Sequence, residues 1–377
     1  MNAVARRPAA ADPLRIALVI TNLRGGGAEK ALLRLAALLR DRGHEVHLVL
    51  LESVIDYAVE PGLQIHALTA PGVPARKGLI GKALAARRLK GLLTSLAGER
   101  GLDLVISSLP FADEVTARTG CSPLWHIIQN TLSVEIEHLA PAKARRRLRR
   151  YRKLYGAANL VAVSDGVADD LRGTLRLNRA RIVRIYNPFD LEAIRALARA
   201  PAAGLPSVPY VIHVGRFNRQ KRHDVLFEAW RRLALPEKLV LLAHPEPALT
   251  ALIREFGLEQ RVEVAGFQQN PYPWIAGARL LVLSSDHEGL PSVLIESLAC
   301  GTPVVSTDCP SGPREILGPK LAQWLVPRGD PVALARTIER ALRTPPNVAD
   351  AGIERFDART VVGQIEALRR IAQTDHS

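Results

Sequence analysis

Two glutamates carry the most specific chemistry in this sequence. Glu288 lies in a Gly/Pro loop after the apolar run Leu280–Leu283, and Glu296 lies inside the short helix predicted after that loop. Pro291, at or near the first helical turn, leaves the free N–H groups of that helix facing the same crevice as the carboxylates. Amides of this kind hold phosphate and carboxylates grip hydroxyls, so together they describe a site for a nucleotide sugar.

This segment supplies six candidate ligand contacts. They are Glu288, Gly289, Leu290, Pro291, Ser292 and Glu296. Spacing alone is also compatible with two glutamates on a solvated surface.

A basic segment at residues 214–224 leaves a predicted strand and enters a predicted helix. Ligands of open α/β sheets bind at the carboxyl ends of strands, where Gly215, Arg216 and Lys221 would lie. Arg216 offers a planar fork to phosphate oxygens, and Lys221 offers a point charge. Taken in isolation, the segment is equally typical of a solvated basic loop.

Three consecutive glycines, Gly25, Gly26 and Gly27, precede the first predicted helix. They permit positive φ and a close approach of the backbone to a ligand, and the start of a helix favours an anion. Lys30 stands where the dinucleotide fingerprint requires glycine, which disfavours NAD. A plain tight turn is the alternative interpretation.

His126 lies near the end of the predicted strand Leu124–Ile128. A single histidine among apolar residues is commonly structural, and a catalytic role is the competing hypothesis.

Strand and helix patterns alternate along the whole chain, which predicts an α/β protein with mainly parallel sheets. Both halves open with a strand, a glycine turn and a helix, so we expect two doubly wound, Rossmann-like domains facing each other across a cleft. The predicted boundaries are a disordered tail at 1–13, an N-terminal domain at 14–188, a linker at 189–207, a C-terminal nucleotide-sugar domain at 208–357, and a C-terminal helix at 358–377.

The chain has 377 residues and a formal net charge of +14, which has two interpretations. It is typical of proteins with an anionic partner (nucleic acid, a membrane surface or phosphate-bearing substrates), and it is equally compatible with codon bias in an Ala/Arg-rich proteome. No apolar run approaches the roughly 20 residues that span a bilayer, and we expect a cytoplasmic protein. No D-x-D pattern and no His/Cys/carboxylate cluster has metal spacing, so we expect no metal and no cofactor, with the nucleotide sugar as a substrate.

The densest charge run, residues 143–155, predicts a helix with Leu148, Tyr151 and Tyr155 on one face. A solvated surface is the plain interpretation. The alternative is contact with anionic headgroups at the inner face of the cytoplasmic membrane, or with a lipid-linked diphosphate acceptor. The basic residues proposed for that contact are Lys143, Arg145, Arg146, Arg149 and Arg150.

The two glutamates and the basic segment together resemble the Glu-x7-Glu and Gly-Arg…Lys signatures of retaining glycosyltransferases of the two-domain GT-B type, family 4. The resemblance implies that Arg216 and Lys221 bind the donor diphosphate, that Glu288 holds the donor sugar, and that Glu296 holds ribose hydroxyls. The opening at Gly25 is similar to the family's Gly-Gly-Ala-Glu segment, which lies near the acceptor and the donor phosphates. The resemblance also implies that the N-terminal domain at 14–188 binds the acceptor and that the C-terminal helix at 358–377 crosses back to it.

Three further segments bear on this resemblance. His126 matches a strand end where the family places a catalytically important histidine. The segment with Phe267, Gly266–Pro271, resembles the loop whose backbone meets the nucleotide base. After the strand Leu239–Ala243, His244 and Pro245 stand where the family has glycines, which implies a reshaped base or ribose pocket.

The resemblance implies a metal-independent, retaining hexosyltransferase. It would use a nucleotide-diphosphate sugar, a UDP-sugar by expectation, and a lipid-linked glycan or lipopolysaccharide-type acceptor in envelope polysaccharide biosynthesis. Two alternatives come from other classes. A sugar-nucleotide epimerase of the same architecture would need no acceptor. A nucleic-acid-binding protein would explain the charge, but only 5% of the residues are aromatic and no binding module is recognisable, so we expect no nucleic acid partner.

Overall fold

The computed structural model describes residues 12–57, 59–76, 78–137 and 139–373. Residues 1–11 of the expected disordered tail and residues 374–377 of the expected C-terminal helix lie outside the described residues.

Strands rich in leucine and β-branched residues alternate with helices, as the sequence predicts. The strands are β1 Arg15–Ile20, β2 Glu45–Leu50, β3 Gln64–Ala67, β4 Leu104–Ser108, β5 Leu124–Ile128, β6 Asn159–Ala162, β7 Arg181–Arg184, β8 Tyr210–Val214, β9 Lys238–Leu242, β10 Val262–Val264, β11 Leu280–Leu283, β12 Val304–Thr307 and β13 Leu325–Val326. The helices are α1 Gly27–Asp41, α2 Leu79–Ala97, α3 Pro110–Ala117, α4 Leu132–Glu137, α5 Pro141–Tyr155, α6 Asp165–Asp169, α7 Leu191–Ala198, α8 His223–Arg231, α9 Pro247–Glu255, α10 Tyr272–Ala276, α11 Ser292–Ala299, α12 Pro313–Leu321, α13 Pro331–Arg343 and α14 Ala358–Gln373.

Within the described residues the strands form a seven-stranded sheet of order β3-β2-β1-β4-β5-β6-β7 and a six-stranded sheet of order β10-β9-β8-β11-β12-β13. Neighbouring strands pair in parallel from β3 to β5 in the first sheet and throughout the second. The central strands β8 and β11 are buried over almost their whole length, as expected for strands covered on both faces. The predicted α/β class with parallel sheets is confirmed.

Contacts divide the chain into two compact units. The first runs to Ile127 and includes residues 157–161 and the chain from Val362, and the second holds residues 128–156 and 162–361. Residues 128–156 and 162–188 therefore group with the second unit, although the sequence analysis assigned both stretches to the N-terminal domain. Helix α7 lies inside the stretch that was expected to be a linker.

Helix α14 is tied to the first unit by ion pairs. Glu366 accepts from Arg42 Nε at 2.6 Å and contacts His44 Nε2 at 2.8 Å, and Arg369 pairs with Asp103 at 3.1 Å. Among the helices of the described chain, none combines the length and the apolar character that a bilayer-spanning helix needs.

Candidate functional site

The order in which the strands follow one another in the second sheet reverses between β8 and β11. Chain order runs from β8 through β9 to β10 on one side and from β11 through β12 to β13 on the other. In open parallel sheets, a crevice for ligands forms at the carboxyl ends of the strands that flank such a point. The loop after β8 (residues 215–222, the basic loop) and the loop after β11 (residues 284–291, the acidic loop) therefore lie where a ligand is expected.

Backbone and amide hydrogen bonds join the basic loop to the acidic loop. Gln220 donates its side-chain amide to the His287 carbonyl at 2.7 Å, and its own carbonyl accepts from the Asp286 N–H at 2.9 Å. Ser284 Oγ donates to the Lys221 carbonyl at 2.7 Å. These hydrogen bonds fix the position of the basic loop against the acidic loop.

Lys221 and Glu288 form an ion pair across the two loops, with Nζ 2.7 Å from Oε1. Both side chains are mostly buried. Gly215 leaves room for the lysine stem, because a Cβ at that position would lie 3.2 Å from Lys221 Cε. Two residues that the sequence analysis selected separately are therefore one charge pair in the structure.

Arg216 is exposed, and its side chain makes no hydrogen bond or ion pair with any described residue. Its neighbour Arg222, which sits in the left-handed region at φ 50°, is committed to Asp224 and Asp286 at 2.8 and 2.9 Å. The basic loop thus contains an arginine available to an anion and an arginine whose charge is neutralised by structure.

Two buried histidines lie behind the basic loop. His213 donates Nδ1–H to the Val282 carbonyl at 2.9 Å and stacks edge-to-face on His223 with ring centroids 4.8 Å apart. Burial, reinforced by the cation of Lys221, lowers the pKa of His223 to about 4, and burial and His223 lower the pKa of His213 well below its ordinary range. Both rings are neutral at physiological pH and add no charge to the site.

Helix α11 presents its N-terminus directly after the acidic loop. Pro291 precedes the helix as its N-cap in extended conformation rather than lying in the first turn, and Ser292 is the first helical residue. No side chain caps this end, so its N–H groups keep their partial positive charge. Glu296 is buried one turn later and accepts from Tyr272 Oη at 3.3 Å.

The acidic loop is packed between two other segments of the second unit. Thr131 Oγ1 donates to the Glu288 carbonyl at 2.8 Å, and Asn130 forms a backbone bridge with Gly289. A Cβ at Gly289 would come within 2.0 Å of the Gln129 carbonyl oxygen, so only glycine fits. On the other side, Ser311 Oγ donates to the Gly289 carbonyl at 2.8 Å.

The glycines of the first unit lie at the carboxyl end of β1. Gly25 has φ +56°, and Gly26 is the N-cap of α1 with the Glu29 carboxylate folded over it. Gly27, the first residue of α1, faces open space where a Cβ would be. This turn permits close approach of a ligand to the backbone. In the structure the Glu29 carboxylate lies against it.

His126 is the third residue of β5 and is only 2% exposed. Its Nδ1 lies 2.6 Å from Ser107 Oγ, which in turn donates to Asp113 Oδ1 at 2.5 Å. Since a hydroxyl has one proton, Ser107 accepts from His126 Nδ1–H while it donates to the carboxylate. The predicted catalytic histidine is thus part of a buried hydrogen-bonded chain in the first unit, two residues before the end of β5.

Phe267 follows β10 at the carboxyl edge of the second sheet and is 39% exposed. His244, exposed after β9, stacks on it with ring centroids 5.3 Å apart and an interplanar angle of 8°.

Helix α5 carries its cations outward and its tyrosines inward. Tyr151 and Tyr155 are fully buried, whereas four basic side chains on the exposed face have no partner among the described residues. Those four are Lys143, Arg145, Arg146 and Arg149. A cavity of about 120 Å³ is lined by Leu139, Lys143, Arg146, Arg147 and Arg150, without a carboxylate.

Sequence reasoning missed the residues that position the pair. Gln220 and Ser284 lie inside segments already selected, and their side-chain amide and hydroxyl were the available signal. Thr131 and Ser311 act through the main chain of the acidic loop from distant parts of the sequence, and no local pattern marks them. Across the described chain, no cluster of three or more His, Cys, Asp or Glu side chains is arranged to hold a metal ion.

Two family models match this chain. The model described as glycosyltransferase family 4 matches residues 25–193, and the model described as glycosyl transferases group 1 matches residues 208–344. The second match contains the basic loop, the acidic loop and α11.

Three known proteins place these matches in context. An enzyme of Campylobacter jejuni, N-acetylgalactosamine-N,N'-diacetylbacillosaminyl-diphospho-undecaprenol 4-alpha-N-acetylgalactosaminyltransferase, is 30% identical over 81% of this chain and 83% of its own length. The lipopolysaccharide 1,6-galactosyltransferase of Salmonella typhimurium is 31% identical over 52% of this chain and 56% of its own length. The solved structure of Anabaena HepE in complex with UDP and glucose has a TM-score of 0.71 at 20% identity, over 93% of this chain and 98% of that one, which shows a shared fold. The chain therefore belongs to the family 4 glycosyltransferases and has the GT-B fold.

Proposed function

We propose that this glycosyltransferase moves a hexose, with retention of anomeric configuration, from a UDP-sugar to a lipid-linked glycan or lipopolysaccharide-type acceptor in envelope polysaccharide biosynthesis. The observation that carries the proposal is the exposed, unpaired Arg216 beside the Lys221–Glu288 ion pair, at the carboxyl edge of β8 and β11. Cations and a carboxylate at one point match the two halves of a donor: a diphosphate and a polyhydroxylated sugar.

Charge builds on the leaving diphosphate as the glycosidic bond breaks, and fixed cations stabilise it. Arg216 would supply a bidentate contact, Lys221 a point charge, and the uncapped N-terminus of α11 a partial positive charge. Such preorganised electrostatics commonly form the largest catalytic contribution. These groups already provide positive charge, so we propose that the reaction needs no metal and no cofactor.

The two glutamates would each bind the hydroxyl groups of a different ring of the donor. Glu288 lies next to Lys221, the group assigned to the diphosphate, and so can accept from sugar hydroxyls once the phosphate engages the lysine. Glu296 lies one helical turn inside α11, held by Tyr272, and would accept from ribose hydroxyls. In the first unit, Gly25, Gly26 and Gly27 would contact the donor phosphates, and His126 would be a catalytic residue.

The acceptor side of the proposal rests on α5. Its exposed cations and the cation-lined cavity are suited to anionic headgroups or to the diphosphate of a lipid-linked glycan. The Campylobacter jejuni relative carries an undecaprenol-diphosphate acceptor in its name, which favours the same chemistry here. We propose peripheral attachment at the inner face of the cytoplasmic membrane, and no nucleic acid partner.

An acceptor-dependent transfer assay tests the proposal. The full chain is incubated with each of four UDP-hexoses, with and without a polyprenyl-diphosphate-linked glycan in vesicles, and free UDP and the anomeric configuration of the product are measured. UDP release that requires acceptor, together with a product of the donor's configuration, is the expected result. Conversion of the donor without acceptor would indicate the epimerase, which the known relatives do not support, and an inverted product would contradict the retaining mechanism.

A further inference from the structure

The buried chain of polar groups at His126 lies beside the point where the strand order of the first sheet reverses. Chain order runs from β1 through β2 to β3 on one side and from β4 through β5 on the other. The carboxyl ends of the strands that flank such a point form the ligand crevice of an open parallel sheet. Ser107, the fourth of the five residues of β4, pairs with His126 on β5, and the glycine turn after β1 lies on the same edge of the sheet.

The carboxylate of Asp113 reaches this pair because the connection from β4 to α3 is short. Only Leu109 lies between Ser108, the last residue of β4, and Pro110, the first residue of α3. Leu109 has φ 78° and ψ 139°, a conformation that is strained for any residue other than glycine. Its carbonyl accepts from the Asp113 N–H at 3.0 Å, which places Asp113 in the first turn of α3. The strained turn thus brings a carboxylate to the Ser107 hydroxyl.

The direction of the hydrogen bonds in this chain determines the tautomer of His126. Ser107 donates its proton to Asp113 Oδ1 at 2.5 Å, so the oxygen presents a lone pair to His126 Nδ1, which is 2.6 Å away. Nδ1 therefore carries a proton, and the carboxylate oxygen 3.4 Å from Nδ1 attracts it further. A neutral imidazole with its proton on Nδ1 has its lone pair on Nε2.

The surroundings of these three polar groups are apolar. Ser107 and Asp113 have no exposed surface, and His126 is 2% exposed. The residues two positions earlier on the same faces of β4 and β5 are Val105, a member of an apolar cluster, and Leu124, which packs against it. Apolar side chains of similar shape can replace a hydrogen-bonded pair at little cost in stability. Packing alone therefore does not require the three groups, and their presence favours a role in the chemistry of the site.

Resting on the catalytic role of His126 proposed above, we propose that Asp113 and Ser107 are positioning residues for the transfer reaction. Asp113 orients the Ser107 hydroxyl, and Ser107 holds the imidazole with its proton on Nδ1. Nε2 is thereby kept as an acceptor for a hydroxyl group of the bound substrate. In the opposite tautomer Nε2 carries the proton and cannot accept. Asp113 and Ser107 act through His126 and touch no substrate atom themselves.

Two variants and a neighbouring control test this inference on the full chain. Ser107→Ala removes the acceptor of the Nδ1 proton. Asp113→Asn keeps the size of the side chain, but its amide can donate to Ser107, whose hydroxyl then can donate to the ring. Ser108→Ala is the matched control, because Ser108 is equally buried on the same strand and its hydroxyl has no hydrogen-bond partner among the described residues.

NMR spectra of protein with isotopically labelled histidine, recorded at alkaline pH, report the tautomer of each ring. The spectrum of His126→Ala assigns the signals of His126. Steady-state kinetics gives kcat, and calorimetry with UDP shows that each variant is folded and binds nucleotide.

We expect the parent to have the His126 proton on Nδ1, and both variants to show a mixture of the two tautomers. The value of kcat should fall about tenfold or more in each variant, because a ring in the wrong tautomer cannot accept from the substrate, while UDP affinity stays at the parent value. Ser108→Ala should match the parent in all three measurements.

A parent-like tautomer in both variants would overturn the inference. So would an unchanged kcat in both variants, or an equal loss of kcat in the Ser108 control. Failure of the parent to transfer sugar, with a tautomer that still depends on Asp113 and Ser107, would overturn the proposed function alone.

Discussion

Lys221 and Glu288 neutralise each other in the structure, whereas Arg216 carries an uncompensated charge. On the proposed assignment, an incoming diphosphate would meet Arg216 directly but would have to draw Lys221 away from its carboxylate partner, 2.7 Å distant. Removal of the side chain therefore has different consequences for the stability of the protein at the two positions. Loss of Lys221 leaves the Glu288 carboxylate unpaired, whereas loss of Arg216 leaves no partner unpaired among the described residues.

Replacing either cation should lower turnover, and only one replacement should lower stability. Arg216→Ala and Lys221→Ala are each expected to reduce kcat/KM on the order of a hundredfold, because each removes a charge from the developing diphosphate. Lys221→Ala should also lower Tm, since Glu288 is left buried and unpaired. Steady-state kinetics and thermal melting measure both effects.

The exposed neighbour Arg219 is the control for this pair, and Arg219→Ala should change neither quantity appreciably. Turnover within a few-fold of the parent in both the Arg216 and Lys221 variants would refute the diphosphate assignment.

The two glutamates should separate nucleotide binding from turnover. Glu296→Gln should mainly weaken binding of free UDP, because ribose hydroxyls belong to that product. Glu288→Gln should leave UDP binding at least as tight as in the parent, because Lys221 no longer has to leave a carboxylate partner, and should lower kcat, because the proposed partner of Glu288 is the sugar. Calorimetry with UDP and kinetics with the UDP-sugar test the assignment, and an equal loss of UDP affinity in both variants would contradict it.

His223 should make the fold sensitive to mild acid. With a folded pKa of about 4 against an ordinary 6.5, the unfolded chain takes up the proton first as pH falls through this window. The free energy of unfolding then drops by about 1.4 kcal/mol per pH unit from this group, or roughly 3 kcal/mol in all. Above pH 6.5 the group has no such effect.

Denaturant melts of the parent and of His223→Phe at pH 7 and pH 5 test this linkage. The phenylalanine ring keeps an aromatic neighbour for Phe217 and Phe227 but cannot be protonated. A smaller pH 7 to pH 5 difference in the variant is expected. Equal differences in the two proteins would exclude His223 as the titrating group.

At the scale of the element, helix α5 has one face that is buried and carries tyrosines, and one face that is exposed and carries cations. The tyrosines anchor the helix in the second unit, so loss of the exposed charges should leave the fold intact. A variant with Gln at Lys143, Arg145, Arg146 and Arg149 is expected to lose binding to anionic vesicles, because each cation near such a surface contributes about 1 kcal/mol. Co-sedimentation with and without anionic lipid, at low and high salt, measures it.

Four exposed cations elsewhere serve as the charge-matched control for α5. Gln at Arg87, Arg88, Lys90 and Arg118 removes the same net charge from the first unit. If both variants lose binding equally, the overall charge of +14, and not α5, brings the protein to the membrane. Parent-like binding of the α5 variant would leave this face as a solvated surface.

At the scale of the whole molecule, transfer should survive chelation. Positive charge for the diphosphate is available from Arg216, Lys221 and the N-terminus of α11 without a divalent ion. Activity measured in EDTA is expected to stay within about twofold of that in Mg²⁺. Complete loss in EDTA, with recovery on adding Mg²⁺ or Mn²⁺, would overturn the metal-independent mechanism.

Local pattern alone determined the alternation of strands and helices and the positions of the basic loop, the acidic loop and α11. Strand periodicity, glycine turns and helix ends depend on neighbours in the chain, so they are readable without tertiary contacts. The family signatures of residues 215–222 and 288–296 are local for the same reason, and the membership they implied is confirmed.

Only the tertiary structure decided which of these residues meet. Lys221 and Glu288 are 67 residues apart, and their pairing depends on β8 and β11 being neighbours in the sheet. Arg216 and Arg222 both lie in the basic loop, but only Arg222 is neutralised by carboxylates, those of Asp224 and Asp286. His126 lies in mid-strand against Ser107 because β4 and β5 pair in that register. Strand order, register and burial arise from long-range packing, which no local spacing records.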